Sequence, residues 1–194
     1  MEVERIINTV FSSNTFILHH QREAIIVDVG DMAPLLNLIQ EKELNVKALF
    51  ITHTHYDHIY GIREFMKIFP EIPIYTSSFG KEAFNKSNWN FSRYHEDPIE
   101  IESASIKAVS GEDAINIFQD TEVKVLETPG HDKSSLTFRI GNYLFTGDSF
   151  IPGVKVIASF PNSNREDAQY WYERLKELSE NYIVCPGHGE ILSR

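Results

Sequence analysis

The chain has 194 residues, of which 42% are hydrophobic and 24% are charged, so a folded protein with a sizeable core is expected rather than a disordered chain. Lys and Arg total 18 against 28 Asp and Glu, and the resulting formal net charge of −10 disfavours nucleic acid and anionic membrane surfaces as partners. The single cysteine, Cys185, excludes an intrachain disulfide.

The sequence also lacks the patterns of a membrane or exported protein. No apolar run approaches the roughly 18 residues that a membrane span needs. The first residues carry acids where a signal peptide carries bases, and no long apolar stretch follows them. We therefore expect a single cytoplasmic domain over residues 1–194.

Strands and helices alternate in the first quarter of the chain. The β-branched runs 16–18 and 24–27 predict two strands joined by a polar turn. Apolar residues at helical spacing predict a helix over 32–39, with Asp31 placed to cap it. The apolar run 48–51 predicts a buried strand.

The next segment is predicted as a helix, a strand and a long loop. Apolar residues at helical spacing over 59–69 predict a helix that Pro70 ends. The run 72–75 predicts a short strand, whose proline is typical of a sheet edge or of the start of a strand. Residues 85–98 predict a loop that could lie over a site, with three aromatic side chains: Trp89, Phe91 and Tyr94.

The second half of the chain is richer in strands, which are predicted over 122–126, 136–140, 143–146 and 182–185. A late helix carries an apolar stripe over 168–178, with Asn164 or Ser163 as its cap. Cys185 ends the last strand and is expected to be a buried thiol. The whole pattern predicts an α/β or α+β fold in which mixed sheets are covered by helices.

Three of the eight histidines lie in the block 53–58, between a predicted strand and a predicted helix. In extended backbone, positions i and i+2 point the same way, so His53 and His55 can bind one ion. Asp57 and His58 follow and can face a neighbouring point. Four candidate ligands are too many for one four-coordinate ion that also takes remote ligands. Two adjacent metal ions fit better.

Three further candidates, His131, Asp148 and His188, each follow a predicted strand and have a glycine beside them. Taken singly, each histidine is better explained as a structural residue and the aspartate as a turn residue. Together they complete a plausible set of metal ligands from remote strand ends. The remaining histidines are expected at the surface: His19, His20 and His95.

The sequence resembles the metallo-β-lactamase-fold superfamily, in its glyoxalase II-like hydrolase branch. The block 53–58 matches the HxHxDH motif of that family, and 128–131, 147–148 and 187–188 match its third, fourth and fifth motifs. Asp28 matches its early strand-end aspartate. The resemblance implies an αββα sandwich, two mixed β-sheets flanked by helices, with the metals at one sheet edge.

The resemblance also implies a role for each matched residue. The first metal would be bound by His53, His55 and His131. The second metal would be bound by Asp57, His58 and His188. Asp148 would bridge the two ions, and Asp28 would accept a hydrogen bond from a ligand histidine and fix its tautomer.

The expected activity is hydrolysis of a small thioester or ester. Two divalent ions, zinc in the first place and iron or manganese as alternatives, would supply a bridging hydroxide near neutral pH. Asp57 could orient that hydroxide or pass a proton to the leaving group. Two ions, two ligating aspartates and one hydroxide sum to a local charge of about +1, which is compatible with a small anionic substrate.

Three residues near the motifs are candidates for contact with substrate. Tyr56 and Ser149 could line the pocket, although each is at least as well explained by packing. Lys155 could bind a carboxylate or phosphate of the substrate, against the plainer interpretation as a solvated lysine.

Other functions remain open at this point. A sulfur (persulfide) dioxygenase of the same fold would need one iron on three of these residues, His53, His131 and Asp148. A phosphodiesterase and a metal-binding protein without catalysis are further alternatives. The chain ends at Arg194, six residues after His188, without the helical region that grips glutathione in glyoxalase II, so a glutathione thioester is disfavoured.

Overall fold

Two mixed β-sheets lie face to face, with helices on both outer faces. The structure is a computed structural model that describes residues 1–111, 113–118 and 121–193. Four positions of the predicted domain 1–194 are outside the described residues: 112, 119, 120 and 194. The αββα architecture expected from the sequence is confirmed.

The first sheet has six strands, in the spatial order β1 (Glu2–Ile7), β2 (Asn14–His20), β3 (Glu23–Val27), β4 (Asn45–Phe50), β5 (Ile74–Thr76) and β6 (Ile106–Ala108). The first three strands pair antiparallel, and the pairs from β3 to β6 are parallel.

The second sheet has five strands, in the spatial order β11 (Ile183–Pro186), β10 (Tyr143–Gly147), β9 (Leu136–Ile140), β8 (Thr121–Glu127) and β7 (Ala114–Phe118). Its pairs are antiparallel except for β10 and β11, which run parallel.

Within the described residues, five helices flank the sheets: α1 (Met32–Glu41), α2 (Tyr56–Ile59), α3 (Ile62–Ile68), α4 (Ser78–Ala83) and α5 (Arg165–Ser179). A short 3₁₀ helix spans Ser92–Tyr94. Among the described residues, no helix has the length and apolar character needed to cross a membrane.

Strand alternation builds the core on both faces of the first sheet. Ile17 and Ile26 pack toward α1 and α3, whereas Phe16 and Ile25, one position away, pack between the two sheets. A smaller cluster around Leu175 packs α5 on the outer face of the second sheet. The central strands consist of continuous runs of apolar residues because both of their faces are buried.

The helix α1 begins after Asp31 as predicted, but the predicted capping bond is wrong. The Asp31 carboxylate accepts hydrogen bonds from the Thr9 backbone NH at 2.8 Å, the Thr9 hydroxyl at 2.9 Å and the Tyr60 hydroxyl at 2.6 Å. It therefore ties the end of β1 to the segment before α3. At the late helix, Asn164 is the cap, because its side chain accepts from the NH groups of Glu166 and Asp167.

The helix predicted over 59–69 is two short helices, α2 and α3, that meet at Gly61. The Gly61 NH donates to the Val29 carbonyl oxygen at 3.1 Å, so two backbone segments touch there. A Cβ at Gly61 would lie 2.2 Å from the Gly30 carbonyl oxygen. Apolar spacing could not reveal this contact, because it involves backbone from a distant part of the chain.

The structure bears on three further predictions, which concern the strand over 72–75, Cys185 and His19. The strand predicted over 72–75 is β5, which lies between β4 and β6, so its proline marks the start of a strand and not a sheet edge. Cys185 is buried as expected. His19 was expected at the surface but is 7% exposed, with its Nε2 atom 3.8 Å from Glu2 and 4.0 Å from Glu4.

We expect Gly61→Ala to lower the free energy of unfolding by about 1–3 kcal/mol, because the added methyl group overlaps backbone that cannot move aside. Urea denaturation followed by circular dichroism measures the change. The matched control is Gly111→Ala, whose new Cβ would meet its nearest atom, the Val125 carbonyl oxygen, at 3.6 Å. Equal stability of the two variants would contradict the close approach at Gly61.

Candidate metal centre

The predicted metal-binding side chains meet at one edge of the two sheets. Asp28 and His53 follow the parallel strands β3 and β4, so both lie at the same end of the first sheet. Asp148 and His188 follow the parallel strands β10 and β11. His131 follows β8, which runs in the same direction as β10 because both are antiparallel to β9.

The first cluster consists of three buried histidines, His53, His55 and His131. Their ligand-forming nitrogen atoms all lie within 4.8 Å of one another, and His55 Nδ1 is 3.0 Å from His131 Nε2. Such an arrangement could hold one metal ion on three nitrogen atoms.

The second cluster consists of Asp57, His58 and His188. Asp57 Oδ2 lies 3.4 Å from His58 Nε2 and 3.2 Å from His188 Nε2, and the two histidine nitrogens are 3.4 Å apart. Zinc bonds of ~2.0–2.1 Å in tetrahedral geometry place neighbouring ligand atoms about 3.3–3.4 Å apart. The observed separations therefore match one coordination sphere.

Asp148 lies between the two clusters. Its Oδ2 atom is 3.5 Å from His131 Nε2 and 3.5 Å from His188 Nε2, and its Oδ1 atom is 3.6 Å from His58 Nε2. A Cβ on Gly187 would lie 2.1 Å from Asp148 Oδ1, so only glycine fits before His188. One carboxylate thus reaches both groups of nitrogen atoms.

The nitrogen and oxygen atoms of the two clusters are better placed to bind metal ions than to form hydrogen bonds with one another. Within the described part of the chain, His53 Nε2 and Asp148 Oδ1 are buried and have no hydrogen-bond partner. Buried polar atoms without partners are costly, and a cation at these positions would satisfy them. The two clusters with their shared carboxylate are therefore consistent with a binuclear metal site.

Asp28 fixes the orientation of His58. Its Oδ2 atom is 2.9 Å from His58 Nδ1, and its carboxylate also accepts from the Thr52 NH and hydroxyl, each at 2.7 Å. Burial alone would lower the pKa of His58, but Asp57 and Asp28 outweigh it and raise that pKa to about 10. The carboxylates around His58 Nε2 thus stabilise positive charge there.

The sequence analysis assigned no role to Asp132, which the structure places beside the centre. Asp132 is fully buried, and its Oδ2 atom lies 3.3 Å from His55 Nε2. Its other oxygen accepts from the Ser134 NH at 2.8 Å and from the Ser134 hydroxyl. The signal in the sequence that could have identified Asp132 is its position directly after the candidate ligand His131. The 3.3 Å contact is within ion-pair distance but lacks hydrogen-bond geometry, and it places Asp132 against His55 Nε2 while His55 Nδ1 lies toward the first cluster.

Backbone carbonyl groups orient two of the other histidines. His131 Nδ1 is 2.8 Å from the Ile157 carbonyl oxygen, and His188 Nδ1 is 3.1 Å from the Phe11 carbonyl oxygen. His53 Nδ1 contacts the Thr52 hydroxyl at 3.2 Å. In each of these rings, the contact leaves Nε2 free to face the centre.

Asp28 and Asp132 change the charge balance expected from the sequence. That count included the two ligating aspartates and one hydroxide and came to about +1. With Asp28 and Asp132 added, four carboxylates surround the two clusters, and the same count for two divalent ions and one hydroxide comes to about −1. The sequence-based count was therefore too positive, because it left out these two neighbours.

Of the three candidates for contact with substrate, the structure places Lys155 beside the centre. Lys155 lines a cavity of about 320 Å³ together with His131, Asp148 and His188. Tyr56 stacks on His95, with ring centroids 3.6 Å apart. The Ser149 hydroxyl is buried and donates to the Thr128 carbonyl oxygen at 2.9 Å, which occupies it inside the protein.

The loop predicted over 85–98 reaches the centre through Phe91, whose ring centroid is 4.9 Å from that of His55. Trp89 stacks on Phe79 instead, and Tyr94 is exposed. Phe160, which the sequence analysis did not single out, packs on His55 from another segment at 5.0 Å. Its exposed aromatic ring gave no signal in the sequence, because the surrounding segment 153–163 has no regular pattern.

The fold and the paired clusters define a metal-dependent enzyme. Residues 8–188 match the family model described as the metallo-beta-lactamase superfamily, and the chain belongs to that family.

Curated relatives share this region. A hydroxyacylglutathione hydrolase of Actinobacillus pleuropneumoniae serotype 5b (strain L20) is 29% identical over 178 residues, which cover 91% of this chain and 65% of the relative. A hydroxyacylglutathione hydrolase of Tolumonas auensis is 25% identical over 175 residues, 89% of this chain and 60% of the relative. The chain thus spans somewhat less than two thirds of the length of these relatives.

Solved structures share the fold at lower identity. The crystal structure of the BLEG-1 B3 metallo-beta-lactamase has a TM-score of 0.87 and 22% identity, and the match covers 98% of this chain and 93% of that one. TTHA1623 in a di-iron-bound form has a TM-score of 0.83 and 21% identity, with 98% and 94% covered. At these identities the likeness shows the fold alone.

We expect Asp132→Asn to weaken metal binding at the first cluster on the order of 10- to 100-fold, as is usual when a contact that orients a ligand histidine is lost. Competition between the protein and a chromophoric chelator for zinc, used as the probe ion, measures this affinity. The matched control is Asp167→Asn, the same change at an exposed position of α5. Unchanged affinity in Asp132→Asn would show that His55 does not need this contact.

Proposed function

We propose that this protein is a dinuclear metal-dependent hydrolase that acts on a small thioester or ester, with zinc as the metal in both positions. The observation that carries the proposal is the position of Asp148, whose carboxylate contacts histidines of both clusters. The names of the curated relatives, hydroxyacylglutathione hydrolases, support a thioester as the substrate class.

The proposed ligands follow the two clusters. One ion would be held by His53, His55 and His131. The other would be held by Asp57, His58 and His188. Asp148 would contribute its carboxylate to both, and Asp28 and Asp132 would orient the histidines that they contact.

When bound, two divalent ions supply an activated water near neutral pH and polarise the scissile carbonyl group. Asp57 is placed to orient that water. Burial would raise the pKa of Asp57, but His58 and His188 outweigh it and hold that pKa well below its usual range. An ionised carboxylate at this position can accept a hydrogen bond from the attacking water.

Lys155 is proposed to bind the substrate outside the reacting group. Lys155 lines the same cavity as Asp148 and His188, and it is exposed. A lysine ammonium group there can pair with a carboxylate of the substrate. This charge offsets the acidic surroundings of the centre, so an anionic substrate fits at the mouth of the cavity.

The second cluster supports hydrolysis over one-iron persulfide chemistry. That alternative uses His53, His131 and Asp148 and leaves Asp57, His58 and His188 without a role. In this chain the second set is complete, and two of its members, Asp57 and His58, are buried. Buried charged groups are either paired with opposite charge or coordinate a metal ion, and a complete set of three ligand atoms within reach of one point suits a metal ion.

The purified protein should bind close to two zinc ions per chain, and His58→Ala should remove chiefly one of them. Metal content after dialysis, measured by mass spectrometry, gives the count. The matched control is His20→Ala, a histidine exposed on the surface. A wild-type protein that binds one ion under every loading condition would contradict the dinuclear proposal.

Asp148→Asn should weaken both ions together and lower thioester hydrolysis by at least about 10- to 100-fold, the range found for residues that only support ligands. The rate is measured on a panel of thioesters and phosphodiesters at saturating zinc, with circular dichroism as the check on folding. Two retained ions and near-normal hydrolysis would contradict the bridging role. Oxygen uptake with a persulfide and iron, without hydrolysis, would favour the dioxygenase instead.

A further inference from the structure

Partly exposed apolar side chains lie next to the histidines of the metal centre and in the cavity beside them. Phe91, Val154, Ile157 and Phe160 form what we call the apolar rim. Val154 is 49% exposed, Ile157 is 56% exposed and Phe160 is 37% exposed. Large apolar side chains grouped around a cavity mark a binding surface more often than isolated ones do.

The rim is continuous with the metal centre. The Phe160 ring centroid lies 5.0 Å from that of His55 and 5.7 Å from that of His131. Phe91 packs on both His55 and Phe160, with centroids 4.9 and 5.4 Å away. The Ile157 carbonyl oxygen accepts from His131 Nδ1, so the residue whose backbone orients a histidine also carries an exposed apolar side chain.

The backbone holds Phe91 in place at a cost. Its φ angle is +60°, in the left-handed region that bulky side chains avoid. The next residue is fixed by a 3.0 Å bond from the Ser92 NH to Asn90 Oδ1, and the Asn90 amide donates to the Ala83 carbonyl oxygen at 2.8 Å. Strain of this kind persists where the surrounding structure fixes the conformation, and it clusters at ligand sites.

The cavity of about 320 Å³ has one polar end and aliphatic walls. The polar end consists of His131, Asp148 and His188. Apart from Lys155 and Gly189, the rest of the lining is aliphatic: Ile151, Val154, Val156 and Ile157. A reacting carbon at the polar end would therefore place the group attached to it against aliphatic side chains.

We propose that the substrate carries an apolar group, an alkyl chain of several carbons or an aryl ring, next to the scissile bond, and that the apolar rim and the aliphatic cavity walls bind it. This inference rests on the proposed hydrolase function and narrows its substrate class. A short polar acyl group such as lactoyl would leave the rim exposed to water, whereas an alkyl or aryl group would cover it.

The first test is the dependence of kcat/KM on chain length in two series of thioesters with the zinc-loaded protein. One series varies the acyl group from acetyl to hexanoyl, with benzoyl and lactoyl added, on N-acetylcysteamine. The other series keeps the acetyl group constant and varies the thiol from ethanethiol to hexanethiol. In the series that enters the cavity, kcat/KM should rise about fourfold per buried methylene. Hydrolysis that is independent of length in both series would overturn the inference.

The second test uses matched variants. Ile157→Asn should lower the ratio of hexanoyl to acetyl hydrolysis about fivefold, since roughly half of a buried isoleucine contribution is lost. Ile68→Asn makes the same change at the end of α3, where Ile68 is 42% exposed, and should leave the ratio as in the wild type. Equal ratios in the two variants would overturn the role of the rim.

The experiments distinguish an absence of thioester hydrolysis from an absence of apolar binding at the rim. If no thioester is hydrolysed, the hydrolase proposal fails, and calorimetry with hexanoate and lactate still tests the rim. Tighter binding of hexanoate, lost in Ile157→Asn, supports it, and equal binding overturns it. A dimer that Ile157→Asn dissociates, seen by ultracentrifugation together with length-independent hydrolysis, would show that the rim contacts a second copy of the chain instead.

Discussion

The carboxylate of Asp148 joins the two halves of the centre. It extends from the second sheet and lies within 3.6 Å of nitrogen atoms of His58 in α2 and of His131 and His188 in two loops. Its position requires that β10 and β11 run parallel, so that the loops after both strands open at one edge. It also requires glycine at position 187, since a side chain there would occupy the space of the carboxylate. The parallel pairing of β10 and β11 and the glycine at position 187 are therefore both needed for the contacts of Asp148.

A second group of contacts gives the centre its rigidity. Asp28 holds His58 from the first sheet, and Asp132 holds His55 from the loop after β8. Asp28 has a φ angle of +58°, which is unusual outside glycine, and its carboxylate accepts two hydrogen bonds from Thr52. The strain at Asp28 is offset by these bonds, so Asp28 is a fixed support for His58.

The sequence predicted the parts of the fold that depend on local pattern. Runs such as 24–27 and 48–51 were identifiable because both faces of these strands are buried. The break at Gly61 and the use of Asp31 as a tie to Thr9 and Tyr60 could not be read from spacing, since their partners are distant in the chain. The short strands β1, β6 and β7 were missed because their patterns are weak without their neighbours.

At the metal centre, too, the features that depend on local sequence were predictable, and those that depend on distant partners were not. Motifs identified the groups that could bind metal, because imidazole and carboxylate at strand ends are recognisable in one dimension. They did not identify Asp132 as a neighbour of His55, nor Phe160, and they named Phe91 only as one of three aromatic side chains in a loop that could lie over a site, because these contacts form across loops. The site's chemistry was therefore predictable at the level of residue type, and its surroundings were not.

The polar centre and the apolar rim depend on each other physically. Four carboxylates and the charges they balance interact more strongly when water is kept away, because the effective dielectric constant is lower. Phe160 and Phe91 pack on His55, which is buried, and Ile157 lies beside His131. A group that binds to the rim would complete this cover at the moment when the reacting atoms meet. Apolar binding energy and electrostatic stabilisation would then act in the same step, although they come from different parts of the chain.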